Sequence, residues 1–241
     1  MLADDEVERI LVVTAHPDDV DFGSAGSVAR WTDAGARVSY CIVTDGDAGG
    51  FDPAVPRSDI PGIRRAEQTA AAAAVGVALE DVIFLGHPDG YLEVSLDLRR
   101  EIASVIRRVR PRRVVTQSPE RNWARIYPSH PDHLAAGEAT ICAVYPDSRN
   151  PFWFPELLAQ GLEPWTVEEL MVMGGPQPDV FVDVTDQFER KLAALRCHES
   201  QHTDADGGLA ERMSGWLGMN AEAGGLEPGR LAEAYRFLDV R

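Results

Sequence analysis

Short apolar runs recur along the chain, each followed by a polar turn rich in glycine or proline. In the first, Ile10-Leu11-Val12-Val13, the apolar residues are continuous rather than alternating. That pattern predicts a strand over 9–15 buried on both faces. Further strands are predicted at Val38 to Val43, at Val82 to Leu85 and around Val114 and Val115. Between them the spacing is helical. One helix runs from about Gly23 to Ala34 and stops at Gly35; an alanine-rich one runs from Ile63 to Val75 and ends at Gly76. Pro53, Pro56 and Pro61 mark an irregular segment before the second. An amphipathic helix from Leu96 to Val109 is closed by Pro111, and Pro131 opens another reaching about Val144. Strands alternating with helices predict an α/β fold, with a mostly parallel sheet and right-handed crossovers.

Beyond Pro146 the pattern predicts strands at Trp165 to Met173 and Asp179 to Val184, then a helix from Phe188 to His202. The tail from Leu209 to Arg241 reads as helix-rich. The 241 residues suit one large domain, with a motif-bearing core over about 9–145 and a C-terminal extension over about 146–241.

Composition narrows the partners. The net charge of −16 disfavours nucleic acid and anionic membranes. The basic run from Arg107 to Arg113 falls where cations stabilise a helix C-terminus. Three cysteines, Cys41, Cys142 and Cys197, form no disulfide framework and suit a reducing cytoplasm. The acidic opening Met1 to Glu6 lacks an apolar stretch, so no secretory signal is expected. No apolar run is long enough to predict a membrane span.

The chemistry gathers just past the strand ends, where α/β proteins build their sites. His16-Pro17-Asp18-Asp19 follows the first strand, and His130-Pro131-Asp132-His133 follows the fourth. Two imidazoles and a carboxylate suit a divalent ion such as Zn²⁺, and three protein ligands leave a position for water. Pro17 stiffens the first turn. One of Asp18 and Asp19 is expected on the metal, with the other aimed at water. A lone turn of Asp and Pro would mean little. Two such clusters on one sheet edge point to a hydrolytic metalloenzyme.

Other strings compete. His198-Glu199-Ser200-Gln201-His202 matches the metalloprotease pattern H-E-x-x-H. The longer metzincin form fails, because Ala205 and Gly208 stand where glycine and histidine are needed. Lying far from the other clusters, it reads as a chance match. The loop Thr44 to Gly50 lacks a calcium-loop ligand at Gly49 and reads as a pocket rim. His87-Pro88-Asp89 reads as pocket lining. Trp123, Tyr127, Phe152, Trp153 and Phe154 flank the second cluster and either stack on a sugar or fill a core.

On these motifs the chain resembles the LmbE/PIG-L family of zinc-dependent N-deacetylases. The matching residues are Ala15 to Asp19, His130 to His133, Thr44-x-Gly46-x-x-Gly49, Arg64-x-x-Glu67 and Pro88-Asp89-Gly90. The resemblance implies a Rossmann-like sheet and hydrolysis of an acetyl group from an N-acetylglucosamine-type conjugate. The alternative is an amidase acting on a thiol conjugate such as a mycothiol conjugate. It implies His16, Asp19 and His133 as ligands of Zn²⁺ (or Fe²⁺, Mn²⁺ or Co²⁺), Asp18 as general base and a protonated His130 as oxyanion stabiliser. Arg64 and Asp89 become substrate contacts, and a homo-oligomer is expected. Val20 stands where many members carry Glu, and Ser129 where some carry Tyr.

Overall fold

A computed structural model describes residues 1–50, 52–201 and 208–241. Seven strands form one sheet in the order β3-β2-β1-β4-β5-β7-β6. They are β1 (Arg9–Thr14), β2 (Arg37–Thr44), β3 (Val82–His87), β4 (Arg113–Gln117), β5 (Glu169–Met173), β6 (Val180–Asp183) and β7 (Ala232–Asp239). The first five run parallel. β7 is antiparallel to both β5 and β6. This is the Rossmann-like, mostly parallel sheet that the resemblance implies.

The continuous apolar run of β1 is buried on both faces. Ile10 and Val12 join the core beneath α2 (Ala25–Asp33), α3 (Ile60–Ala74) and α7 (Phe188–Arg196). Leu11 and Val13 join the opposite core, under α4 (Leu96–Val109) and α5 (Pro131–Cys142). A short α1 (Asp19–Gly23) precedes α2, and α6 (Pro155–Ala159) and α8 (Gly208–Ala223) complete the α-helices among the described residues. None of these is long and apolar enough to cross a membrane.

The strand order fixes where the site lies. The chain moves outward from β1 through β2 to β3, then returns to place β4 on the other side of β1. That reversal is a topological switch point, where loops after adjacent strands part and leave a crevice. The loops after β1 and β4 carry the two histidine clusters.

Three expectations need correction. Pro61 belongs to the first turn of α3 rather than to an irregular segment, because a first-turn proline loses no helical hydrogen bond. The helix expected over 188–202 stops at Arg196, and His202 lies outside the described residues. The helix-rich tail holds α8 but ends in β7, inserted between β5 and β6. Its Ala and Glu residues favour helix locally, and sheet pairing overrides them.

Candidate metal centre and active site

Directly after β1 the chain turns through Pro17 and Asp18 into α1. Asp18 has φ 93°, a left-handed conformation that non-glycine residues adopt only when surroundings impose it. The imposing contacts are specific. The Asp18 amide donates to Gln68 Oε1 at 2.8 Å, and Arg64 Nη2 donates to Asp18 Oδ2 at 3.0 Å. Arg64 also donates to the carbonyls of Pro17 and Gly46. A Cβ on Gly46 or Gly49 would collide with the Arg64 guanidinium, so the loop after β2 needs glycine there for close approach.

At the second cluster, His130 forms the N-cap of α5 and Pro131 starts the helix. His133 in the first turn then faces Asp19 and His16. His133 Nε2 lies 3.1 Å from Asp19 Oδ1 and 3.1 Å from His16 Nδ1. His16 Nδ1 lies 3.3 Å from Asp19 Oδ2. The other ring nitrogens bond outward. His16 Nε2 meets Asp89 Oδ1 at 3.0 Å and Asp132 Oδ2 at 3.2 Å, while His133 Nδ1 meets the Pro128 carbonyl at 3.2 Å. In the neutral rings, outward N–H donation leaves an inward lone pair on each, as for histidines that bind metal. Ligands about 2.0–2.1 Å from a tetrahedral zinc ion lie about 3.3 Å apart. The His16, Asp19 and His133 donors therefore fit a divalent ion.

The comparisons with known proteins agree with this geometry. The PIG-L family, described as GlcNAc-PI de-N-acetylase, matches residues 11–144. The chain belongs to that family. It is 33% identical over 233 residues to diacetylchitobiose deacetylase of Thermococcus kodakarensis, covering 97% of this chain and 84% of that protein. It is also 33% identical to a probable N-acetyl-alpha-D-glucosaminyl L-malate deacetylase 2 of Bacillus cereus, covering 80% of this chain and 83% of that protein. The structure of N,N'-diacetylchitobiose deacetylase from Pyrococcus horikoshii superposes with a TM-score of 0.87 at 29% identity. That match covers 97% of this chain and 85% of the other.

In this PIG-L chain, electrostatics separates the two adjacent carboxylates. Burial pushes the Asp18 carboxyl up to about 6, against the pull of Arg64. Burial also opposes ionisation of Asp19, but His133 and His16 outweigh it and hold its pKa well below the usual range. Asp19 is thus held ionised, whereas Asp18 is poised to exchange a proton. Burial disfavours charge on His16, yet bonds to Asp132, Asp19 and Asp89 raise its pKa. His133 is raised likewise, burial being outweighed by Asp19. Burial and the neighbouring His16 and His133 lower His130. The Asp132 amide donates to His130 Nδ1 at 3.2 Å. The neutral ring therefore carries its proton on Nε2. Both features favour a neutral His130 ring, whereas the family resemblance implies a protonated one.

Arg64 and Asp89, which the resemblance implies as substrate contacts, lie against the cluster. They are only 3% and 7% exposed. Arg64 is occupied by Asp18 and two loop carbonyls, and Asp89 orients His16. Both are held by bonds to groups of the cluster and its neighbouring loops. Asp132 joins Asp89 in orienting His16. His87 instead meets Glu101 Oε2 at 2.6 Å, apart from the cluster.

The H-E-x-x-H string finds a different use. His198 is fully buried beyond the end of α7, and its Nε2 lies 2.8 Å from Asp21 Oδ2. The same oxygen accepts from Gln68 Nε2 at 2.9 Å. Lys191 Nζ donates to the Asp21 and Phe22 carbonyls at 2.8 and 2.7 Å and pairs with Glu233 at 2.7 Å. Glu233 in turn accepts from the amides of Gly26 and Ser27, at the start of α2. The ion pair thus joins the end of α1 to the start of α2, with each charge facing the favourable helix pole. Reading the residues alone could not reveal this network, because Asp21, Lys191, His198 and Glu233 are distant in sequence.

Proposed function

We propose that the chain is a metal-dependent N-deacetylase that hydrolyses the acetamide of an N-acetylglucosamine-type conjugate. The single observation carrying this reading is the inward convergence of His16, Asp19 and His133, with Asp18 beside them. These three side chains would hold the ion, and zinc suits two imidazoles and one carboxylate best. A bound ion supplies Lewis acidity, which polarises the amide carbonyl and makes water nucleophilic near neutral pH.

The chain's own residues do the rest. Asp18, ionised above about pH 6, takes the proton from the attacking water. Arg64 and Gln68 hold it in the turn during this transfer. The Nε2–H of neutral His130 donates to the oxygen on which negative charge develops. The protonated Asp18 then gives its proton to the departing amine, which restores the carboxylate. Asp89 and Asp132 keep His16 oriented throughout. The free thiols of Cys41, Cys142 and Cys197 fit action in the cytoplasm.

The test is acetate release by purified, zinc-loaded protein from a panel of N-acetylglucosaminyl conjugates, including thiol conjugates. Release from at least one conjugate, abolished by a chelator and restored by metal, is the expected result. Metal-loaded protein that releases no acetate from the whole panel would refute the reading.

A further inference from the structure

Asp18 is gripped at both ends from one face of α3. Arg64 Nη2 donates to its carboxylate, and Gln68, one helical turn on, accepts from its amide at 2.8 Å. Gln68 is fully buried, and its Nε2 donates to Asp21 Oδ2 at 2.9 Å. A side-chain amide has one accepting and one donating end, so it satisfies both neighbours in a single orientation. Turned over, its NH₂ would face the Asp18 N–H and its carbonyl would face the Asp21 carboxylate. Asp21 therefore selects the orientation of Gln68 that holds Asp18.

Asp21 needs an anchor of its own. It is fully buried, and its Oδ1 has no hydrogen-bond partner among the described residues, so Oδ2 carries the side chain's bonding. The second donor to Oδ2 is His198 Nε2, at 2.8 Å. His198 Nδ1 is likewise buried without a partner among the described residues, which commits the ring to Asp21. The segment that carries His198 is also tied to α3. The Ser200 amide and hydroxyl both donate to the Glu67 carboxylate at 2.7 Å. Glu67 and Gln68 are adjacent, so consecutive residues of α3 seat the segment after α7 and orient the Asp18 turn.

We propose that His198 is a positioning residue for the reaction: through Asp21 and Gln68 it holds the Asp18 carboxylate where it takes the proton from water. Fully buried, His198 itself touches no substrate. Without its N–H, the Asp21 carboxylate keeps one bond and is free to turn its other oxygen toward Gln68. The Gln68 amide then swings with it, the Asp18 amide loses its acceptor, and the left-handed turn relaxes. Misplacing a reacting group by about 1 Å costs about 10²-fold in rate. The kinetic consequence rests on the deacetylase reading above, whereas the hold on Asp18 does not. The C-terminal extension thereby acquires a role: it steadies the base that the core supplies.

The test compares the wild type, His198→Leu and His198→Gln, each zinc-loaded and assayed well below its unfolding temperature, on an N-acetylglucosaminyl conjugate that the wild type deacetylates. Leucine removes the N–H, and glutamine keeps one at about the same reach. In the leucine variant kcat should fall at least about tenfold, with KM within about twofold and zinc content full. Glutamine should recover most of that loss. Crystal structures of both variants supply a readout apart from activity. The contact between the Asp18 amide and Gln68 Oε1 should open beyond about 3.5 Å with leucine and stay closed with glutamine. His198→Asn, whose shorter amide stops short of Asp21, takes the place of the leucine variant if that one fails to fold. An unchanged kcat, equal losses with leucine and glutamine, a loss confined to KM, or an unbroken Asp18–Gln68 contact would each overturn the proposal. Should the wild type release no acetate from any conjugate, the deacetylase reading fails. The crystal structures then decide alone whether His198 holds Asp18.

Discussion

Two histidine-bearing clusters leave the same short stretch of chain in opposite directions. Asp18 and Asp19 face outward with His16 and His133, whereas Asp21, one turn of chain later, faces inward with His198 and Gln68. Both clusters use imidazoles and carboxylates, and both are largely buried. They differ in how their donors are matched. Around His16 and His133, lone pairs converge at ligand spacing, and the outward nitrogens are tied to carboxylates or a carbonyl. Around Asp21, the Oδ2 oxygen meets donors from Gln68 and His198, backed by the Lys191–Glu233 pair, while Asp21 Oδ1 and His198 Nδ1 are buried without a hydrogen-bond partner. Convergent acceptors repel until a proton or a metal cation joins them, whereas the pairs at Asp21 Oδ2 are complete without one. Both places carry residue types able to bind metal, and the arrangement of donors distinguishes them.

The sharpest way to break this contrast is to remove one group from each cluster. Asp18→Asn takes away the proton acceptor while leaving all three proposed ligands. Turnover should fall by about 10²–10⁴-fold with metal content unchanged, as read by steady-state kinetics beside elemental analysis. Equal turnover, or loss of metal, would remove Asp18 from the role of base. In the inner network, Lys191→Met strands the buried Glu233 carboxylate. Denaturant unfolding should show a loss of about 3–5 kcal/mol, the usual cost of breaking a buried pair. A loss below 1 kcal/mol would mean that the α2 amides alone satisfy Glu233. The smallest effect is expected for His198→Ala, which leaves Asp21 Oδ2 bonded to Gln68 only. Stability should drop by about 1–3 kcal/mol, with full metal content retained. Metal loss in this variant would revive the H-E-x-x-H reading.

Local patterns carry some of this molecule well and some poorly. β1 to β4, α4 and the two histidine clusters were legible because continuous apolar runs and proline-marked turns are local signals. The meeting of the clusters was also legible, since loops after parallel strands share one edge. β7 was not, because Ala232-Glu233-Ala234 favours helix and only pairing with β5 and β6 makes it a strand. The position of Arg64 escaped for a related reason. An arginine in an alanine-rich helix gives no local sign that its guanidinium will be drawn into the Asp18 turn through two glycines of another loop. His198 likewise read only as part of a chance match, and nothing local pointed to its buried partner, Asp21.

Anomalous scattering at the zinc edge, from crystals grown with the ion, tests the central claim most directly. One strong peak should lie within bonding distance of His16 Nδ1, His133 Nε2 and an Asp19 oxygen. A peak bound instead by His198, or a fully loaded protein with no peak between His16 and His133, would contradict the account.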